Sequence, residues 1–504
     1  MSLVGAQGWG WRYAGRTAWA VRDLDLTIED GERVLLLGPS GAGKSTLLAA
    51  LAGVLGGADE GTEAGRLLVG GQHPTRRVGQ VGLVQQDPQS QIVLARVGDD
   101  VAFGCENKAM PRERIWPRVR EALAAVGLGV GVTHLTSALS GGQQQRLVLA
   151  GTLAMRDGGV DDPAHPRLLL LDEPTANLDP QGVTEVRDAV GRLVADRTTT
   201  LIIVEHRVEA WLELIDRVIV LSPEAGVMAD GPPAAVFAAR GRELANRGVW
   251  VPGVPLPVLA RLGGAPGGGA EAVLRGVDLT IGYEATHVVR DHLDVVIPGG
   301  LSTVITGPNG VGKSTLALTL AGLLPQLGGR VEAADGLIPP ATTRRQRRLA
   351  GGKGLGDPHT WTSAQLLTRI GTVFQEPEHQ FVTADVRSEL AVGLRALRWP
   401  EEMITRRVDE LLALLQLDAL AGVNPFTLSG GEKRRLSVGT VLAGGPSVII
   451  LDEPTFGQDR ATWCALVELI MRLLDEGRTV VSVTHDPAYL DLLGEHRIEL
   501  GVRR

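Results

Sequence analysis

Two cysteines in 504 residues, Cys105 and Cys464, leave no material for a disulfide framework and suit a reducing compartment. Long apolar runs are missing too: none approaches the ~18–20 residues needed to span a bilayer. The opening stretch MSLVGAQGWGWRYAG has neither the charged start nor the apolar run of a secretory signal. Work at a membrane is therefore expected to pass through a partner. Positive charge is not in excess; the formal net charge of −8 disfavours a general nucleic-acid binder. Lysine is scarce, standing only at 44, 108, 313, 353 and 433. What remains is ordinary for a globular chain of two to four domains, with 44% hydrophobic and 21% charged residues.

Two of the five lysines stand in matching glycine-rich settings. The first follows a short apolar strand, Arg33 to Leu37, in GPSGAGKST: Gly38, Pro39, Ser40, Gly41, Ala42, Gly43, Lys44, Ser45 and Thr46. This is the phosphate-loop pattern, in which backbone N–H groups wrap phosphates and the lysine reaches the outer oxygens. The hydroxyl of Ser45 suits magnesium, and a helix beginning there adds its dipole. A long apolar helix is expected over Leu47 to Leu55. Val81 to Val84 reads as a strand with Gln86 at its exit, an amide able to touch magnesium or attacking water without titrating. Ile115 to Val126 has helical periodicity.

LSGGQQQR, Leu139 to Arg146, sets two glycines and Ser140 at the start of a helix, where unpaired N–H groups favour an anion. Taken alone it is an ordinary cap, but Asp172 of LLLLDEP follows thirty-two residues after Ser140. That apolar strand, Leu168 to Leu171, releases Asp172 to a magnesium shell and Glu173 as general base. A further strand, Leu201 to Val204, ends in Glu205-His206, which points His206 at a γ-phosphate. Arg156 to Pro166 reads as a surface loop.

A Pro/Gly-rich stretch beginning at Val251 reads as a linker. The boundaries this suggests are a first domain over 1–245, a linker over 246–271 and a second domain over 272–504. Beyond the linker the motifs recur. GPNGVGKST supplies Gly307, Pro308, Asn309, Gly310, Gly312, Lys313, Ser314 and Thr315; then come Gln375, Ser429 in LSGGEKRR, Asp452 and Glu453 in VIILDEP, and His485. Lys44 and Lys313 are 269 apart, whereas Gln86 and Gln375, and Ser140 and Ser429, are 289 apart. The second half thus carries twenty extra residues between its lysine and its glutamine, an interval that includes a basic loop with Arg344, Arg345, Arg347 and Arg348.

With the phosphate loop, glutamine, LSGGQ, DEP and switch histidine each present twice in order, the chain resembles the ATP-binding-cassette ATPases. The resemblance implies an α/β fold of two tandem P-loop domains. Each would have an α/β core, an antiparallel β portion and a helical subdomain carrying LSGGQ. It also implies ATP and Mg2+ as ligands, with Ser45, Gln86 and Asp172, or Ser314, Gln375 and Asp452, around the metal. The halves would pair head to tail within the chain. Ser429 and Gly431 would then close the site built on Lys44, and Ser140 and Gly142 the site built on Lys313. Tyr13 and Tyr283 would stack on adenine.

QDPQSQ with DDVAFG, QEPEHQ with SELAVG, DEPTFGQD and the DGPPAAVF tail are similar to the fused ATPase subunits of energy-coupling-factor importers. That resemblance implies vitamin or transition-metal uptake, a transmembrane coupling subunit, a substrate-binding membrane protein and a peripheral place on the cytoplasmic face. Asp100 and Glu389 would then receive an arginine of the coupling subunit. A fused sugar-importer ATPase and a soluble ribosome-associated tandem cassette are the competing readings.

The head-to-tail expectation is testable. Ser429→Arg should damage the site built on Lys44, and combining it with Lys44→Ala should be far from additive in ATPase assays, because both act on one site. Additive losses would mean that each half hydrolyses ATP alone.

Overall fold

The computed structural model describes residues 2–501 apart from 58, 78–80, 156–167, 177, 224–225, 258–270, 285 and 351–353. The surface loop expected at 156–166 and half of the expected linker lie outside the described residues. The chain forms two compact units, Met1–Pro255 with Asp459–Ala461, and Leu256–Gln458 with Thr462–Arg504.

The first unit runs β1 (Ser2–Tyr13), β2 (Val21–Glu29), β3 (Arg33–Leu37), α1 (Lys44–Leu51), β4 (Gly61–Val69), β5 (Gly82–Val84), α2 (Val97–Asn107), α3 (Arg112–Ala125) and α4 (Gly141–Ala154). It continues with β6 (Leu168–Asp172), α5 (Pro180–Val194), β7 (Thr200–Val204), β8 (Arg217–Ser222), β9 (Gly226–Gly231) and α6 (Pro233–Asn246). The main sheet has the order β5-β6-β7-β3-β8-β9, parallel except for β9. A separate antiparallel sheet, β2-β1-β4, lies apart from it in hydrogen bonding.

Uninterrupted apolar strands are what a sheet covered on both faces demands. The alternation is visible residue by residue. Val34, Leu36, Leu168 and Leu170 face one core, shared with β1, β2 and α1. Leu35, Leu37, Leu169 and Leu171 face the other, shared with α2, α3, α4 and α5. The central sheet is thus the wall between the antiparallel layer and the helical signature part. Helix α1 ends at Leu51, short of the expected Leu55. Gly53 takes φ 74°, and the Val54 N–H bonds back to the Ala49 carbonyl at 3.1 Å, a left-handed stop that the apolar run concealed.

The second unit runs β10 (Ala272–Glu284), β11 (His287–Pro298), β12 (Ser302–Thr306), α7 (Lys313–Leu320), β13 (Gly328–Ala333), α8 (Arg344–Ala350), α9 (Ser363–Leu367), β14 (Ile370–Val373) and α10 (Val386–Ala396). After α11 (Glu401–Leu415) and α12 (Gly430–Ala443) come β15 (Val448–Asp452), α13 (Arg460–Asp475), β16 (Thr479–Val483), α14 (Pro487–Leu493) and β17 (His496–Glu499). Its parallel sheet is β14-β15-β16-β12-β17 and its antiparallel sheet β11-β10-β13. The additional residues before Gln375 are folded. Leu337, Leu355 and Trp361 extend the core, and Gln346, 1% exposed, donates to the Thr360 carbonyl at 3.1 Å and to Gln365 Oε1 at 2.7 Å. Arg344, Arg347 and Arg348 remain exposed on α8.

The structure gives Asp100 and Glu389 a role within the chain that the sequence reading did not foresee. Asp100 Oδ1 accepts the N–H groups of Val93 and Leu94, both at 2.8 Å. Glu389, 3% exposed, accepts Val382 N–H at 3.0 Å, Thr383 N–H at 2.8 Å and Thr383 Oγ1–H at 2.7 Å through Oε2. Both carboxylates are clamps on the loop that precedes their helix. What the clamped loops offer outward is apolar: Val93 is 60% and Val382 73% exposed. Removing a buried acceptor leaves its donors unsatisfied, at a cost of about 1–3 kcal/mol. Glu389→Ala should therefore lower the thermal unfolding midpoint more than Asp100→Ala, whose site is more solvated. Equal midpoints for wild type and Glu389→Ala would contradict the clamp.

Candidate active site

Four adjacent parallel strands of the first unit end on one edge of its sheet. Beyond β5 lies Gln86, at the end of β6 Asp172 with Glu173 behind it, beyond β7 His206, and beyond β3 the loop from Gly38 to Gly43. Such an edge is where parallel α/β sheets bind ligands. The second unit repeats it: β14 delivers Gln375, β15 Asp452 and Glu453, β16 His485, and β12 the loop from Gly307.

The loop glycines answer to sterics. Gly43 has φ 81°, and a Cβ there would stand 2.3 Å from Val21 Cγ2 and 2.5 Å from the Ala20 carbonyl oxygen. At Gly38 the obstacle is the Leu221 carbonyl oxygen at 2.7 Å, whereas Gly41 faces open space. Lys44, 8% exposed, donates Nζ to the Gly38 and Pro39 carbonyls at 2.8 and 3.0 Å. Lys313 does the same to Gly307 and Pro308 at 2.8 and 3.0 Å, with Asn309 Oδ1 at 3.5 Å. Burial lowers the Lys44 pKa, opposed by Glu173 and other nearby carboxylates. A lysine held by two carbonyls gains much from an anion placed in the loop.

Asp172 is pushed up to about 6 by burial, with a hydrogen bond from Ser45 opposing the rise. Asp452 is raised for the same reason, opposed by Ser314, and its buried Oδ1 has no hydrogen-bond partner among the described residues. Hydroxyl, carboxylate and amide oxygens form a hard donor set. They suit Mg2+ completed by phosphate oxygens and water, and a buried unpartnered carboxylate oxygen gains from such an ion. Among the described residues no cluster of three His, Cys, Asp or Glu side chains forms an all-protein metal cage.

Glu173 and Glu453 take φ of 46° and 44°, a left-handed backbone that a glutamate adopts only when its surroundings compel it. The Glu173 N–H bonds to the Val204 carbonyl at 2.8 Å and the Glu453 N–H to Val483 at 2.9 Å, so the neighbouring strand holds each turn. In the first unit Gln86 Nε2 donates to Glu173 Oε2 at 2.8 Å, and His206 Nε2 lies 3.2 Å from Oε1. A carboxylate so oriented can take a proton from water. In the second unit the matching histidine–glutamate separation is 4.0 Å.

The switch histidines are braced differently. Glu205, 4% exposed, accepts from Thr175 N–H at 3.1 Å, from Thr175 Oγ1–H, and from the His206 and Arg207 N–H groups at 2.9 and 3.1 Å. The second unit has Thr484 in that place and puts the acid after the histidine: Asp486 Oδ2 accepts from Thr455 Oγ1 at 2.8 Å and from Trp463 Nε1. Either acid pins the threonine that follows the DEP motif. Reading by motif missed these braces, although the Glu-His pair at a strand end was the available signal.

Ser140 and Ser429 are helix N-caps in full capping boxes, paired with Gln143 and Glu432. The first-turn N–H groups at Gly142 and Gly431 belong to those helix starts. Tyr13 is anchored, its hydroxyl 3.2 Å from Thr46 Oγ1 and its ring edge-on to Trp11, but Tyr283 is 59% exposed.

Comparisons with known proteins agree with this geometry. The sequence model of the ABC transporter family matches residues 21–176 and again 291–456. The chain is 32% identical to a protein named as an ABC transporter ATP-binding protein in Methanosarcina acetivorans, over 94% of this chain and 80% of that one. It is 33% identical to YkoD of Bacillus subtilis, named as an HMP/thiamine import ATP-binding protein, over 92% of this chain and 84% of that one. Among solved structures it is similar to the archaeal ribosome recycling factor aABCE1 in complex with stalk protein aP1. That match has 20% identity, covers 98% of this chain and 87% of that one, and has a TM-score of 0.58, a likeness of fold.

Replacing a general base costs about 10²–10⁴-fold in rate. Glu173→Gln and Glu453→Gln should each lower ATP turnover while leaving nucleotide binding, and the double variant should be nearly inactive yet bind ATP. Turnover near the wild-type rate in the double variant would reject both glutamates as bases.

Proposed function

The chain belongs to the ABC transporter family and is an ATP-binding ATPase; from that premise we propose that it powers a membrane importer of the energy-coupling-factor type, for a vitamin or transition-metal ion. The observation that carries this reading is the doubled sheet edge, in which each unit keeps its own lysine, glutamine, paired carboxylates and histidine. Similarity to a thiamine-import ATP-binding protein over most of both chains supports the importer branch. Among the described residues no helix is long and apolar enough to cross a membrane, so transport needs a partner.

In the proposed reaction the phosphate loop and Lys44 hold the triphosphate. Ser45, Asp172 and Gln86 would hold Mg2+, which when bound offsets the phosphate charge. Glu173 takes the proton of a water whose oxygen bonds to the γ-phosphorus as the bond to ADP breaks. His206 keeps Glu173 oriented and faces the γ-phosphate. Lys313, Ser314, Asp452, Gln375, Glu453 and His485 act likewise in the second unit. Closure of the halves head to tail would bring Ser429 and Gly431 to one ATP and Ser140 and Gly142 to the other.

The partners in this reading are a transmembrane coupling subunit and a substrate-binding membrane protein. Docking would use the exposed apolar loops around Val93 and Val382, with exposed Phe103 ten residues after Val93 and exposed Phe426 packed edge-on to Phe381, the neighbour of Val382. Purified from detergent extracts, the chain should bring down small membrane proteins and should not sediment with ribosomes. Val93→Asp with Val382→Asp should abolish that co-purification while leaving basal ATPase unchanged. Ribosome association with no membrane companion would overturn the importer reading.

A further inference from the structure

The two units differ at one buried position that no motif flags. Gln145 and Arg434 occupy the same place in LSGGQQQR and LSGGEKRR, 289 residues apart as Ser140 and Ser429 are. Both are buried, Gln145 at 2% and Arg434 at 4% exposure. Arg434 Nη1 donates to the Phe374 carbonyl at 2.7 Å, and Nη2 to the carbonyls of Gln375 at 2.7 Å and Glu453 at 3.2 Å. One guanidinium on α12 therefore holds both the exit of β14 and the strained turn after β15. Gln145 makes no such bridge, and its Nε2 has no hydrogen-bond partner among the described residues. Burial draws the Arg434 pKa down to about 10 against the pull of Asp452 and Glu453, so the group stays charged at neutral pH. A planar fork with several donors suits three converging carbonyls, and a lysine does not.

We propose that Arg434 is a positioning residue that locks the signature helix, the glutamine segment and Glu453 of the second unit into one rigid group which the first unit lacks. The inference rests on Glu453 acting as the base of its site. Its consequence is that the two ATP sites are unequal. Movement of the second unit's helical part is transmitted to Glu453 directly through Arg434, a link that Gln145 does not make to Glu173.

The test isolates each site in the intact chain. With Glu173→Gln present, remaining turnover comes from the second unit. There Arg434→Gln, which installs the residue that the first unit already tolerates, should lower kcat about tenfold with the KM for ATP within about twofold. Arg434→Lys should be lowered to a similar degree, since charge without the fork cannot bridge three carbonyls. With Glu453→Gln present instead, turnover comes from the site that Ser429 of the same helix would close, and Arg434→Gln should lower it clearly less than in the Glu173→Gln background, because Arg434 holds Glu453 and not Glu173. An equal loss in both backgrounds, full recovery by lysine, or a lowered unfolding midpoint with kcat unchanged would each overturn the inference. Turnover persisting in Glu173→Gln with Glu453→Gln would overturn the base assignment itself, and the inference with it.

Discussion

The parallel ladder that joins β5, β6, β7 and β3, and its counterpart β14, β15, β16 and β12, is the constraint on which everything else depends. Because those strands run the same way, the C-terminal ends of each set share one edge, and residues as far apart as Gly38 and His206, 168 positions, or Gly307 and His485, 178 positions, become neighbours in function. Both faces are covered, so β3, β6 and β7 carry Val, Ile and Leu at nearly every position, and β12 and β16 bury Ser302, Thr303, Thr479 and Ser482 beside their Val and Ile. At the edge the apolar run stops and carboxylates begin. The last ladder partner of Asp172 is Val204 and that of Asp452 is Val483, so each acidic residue leaves the sheet beside the strand that carries the histidine.

That shared edge does not make the two sites copies. The first has an acid before the histidine to brace the post-DEP threonine. The second moves the acid to the other side of the histidine and adds a buried guanidinium behind Glu453. In both, the glutamate's backbone is left-handed, at a strain of roughly 1–2 kcal/mol. The strand–strand hydrogen bonds from Glu173 and Glu453 N–H offset it and fix the carboxylates' direction.

The two-domain α/β architecture, the antiparallel layer and the helical part were legible because periodicity and motif spacing agree, twice over. The strand-end residues were legible for the same reason: short apolar runs end abruptly in Asp-Glu in both units and in Glu-His in the first, with Thr484-His485 at the matching strand end of the second. Other features were not. Glu389 in SELAVG looks like a surface charge, yet its acceptors serve Val382 and Thr383, a tertiary contact that no local pattern encodes. The end of α1 was hidden because Leu47 to Leu55 stays apolar past the glycine that stops the helix. Arg434 looks like one more basic residue in LSGGEKRR, and only the fold reveals the three carbonyls around it.

Equilibrium binding of ATP to the chain carrying Glu173→Gln and Glu453→Gln bears most directly on the doubled edge. With hydrolysis suppressed, the stoichiometry should be two ATP per chain. It should fall to one when either Lys44→Ala or Lys313→Ala is added, and to none with both. A stoichiometry of one before either lysine is changed, or two after one of them is removed, would contradict the account.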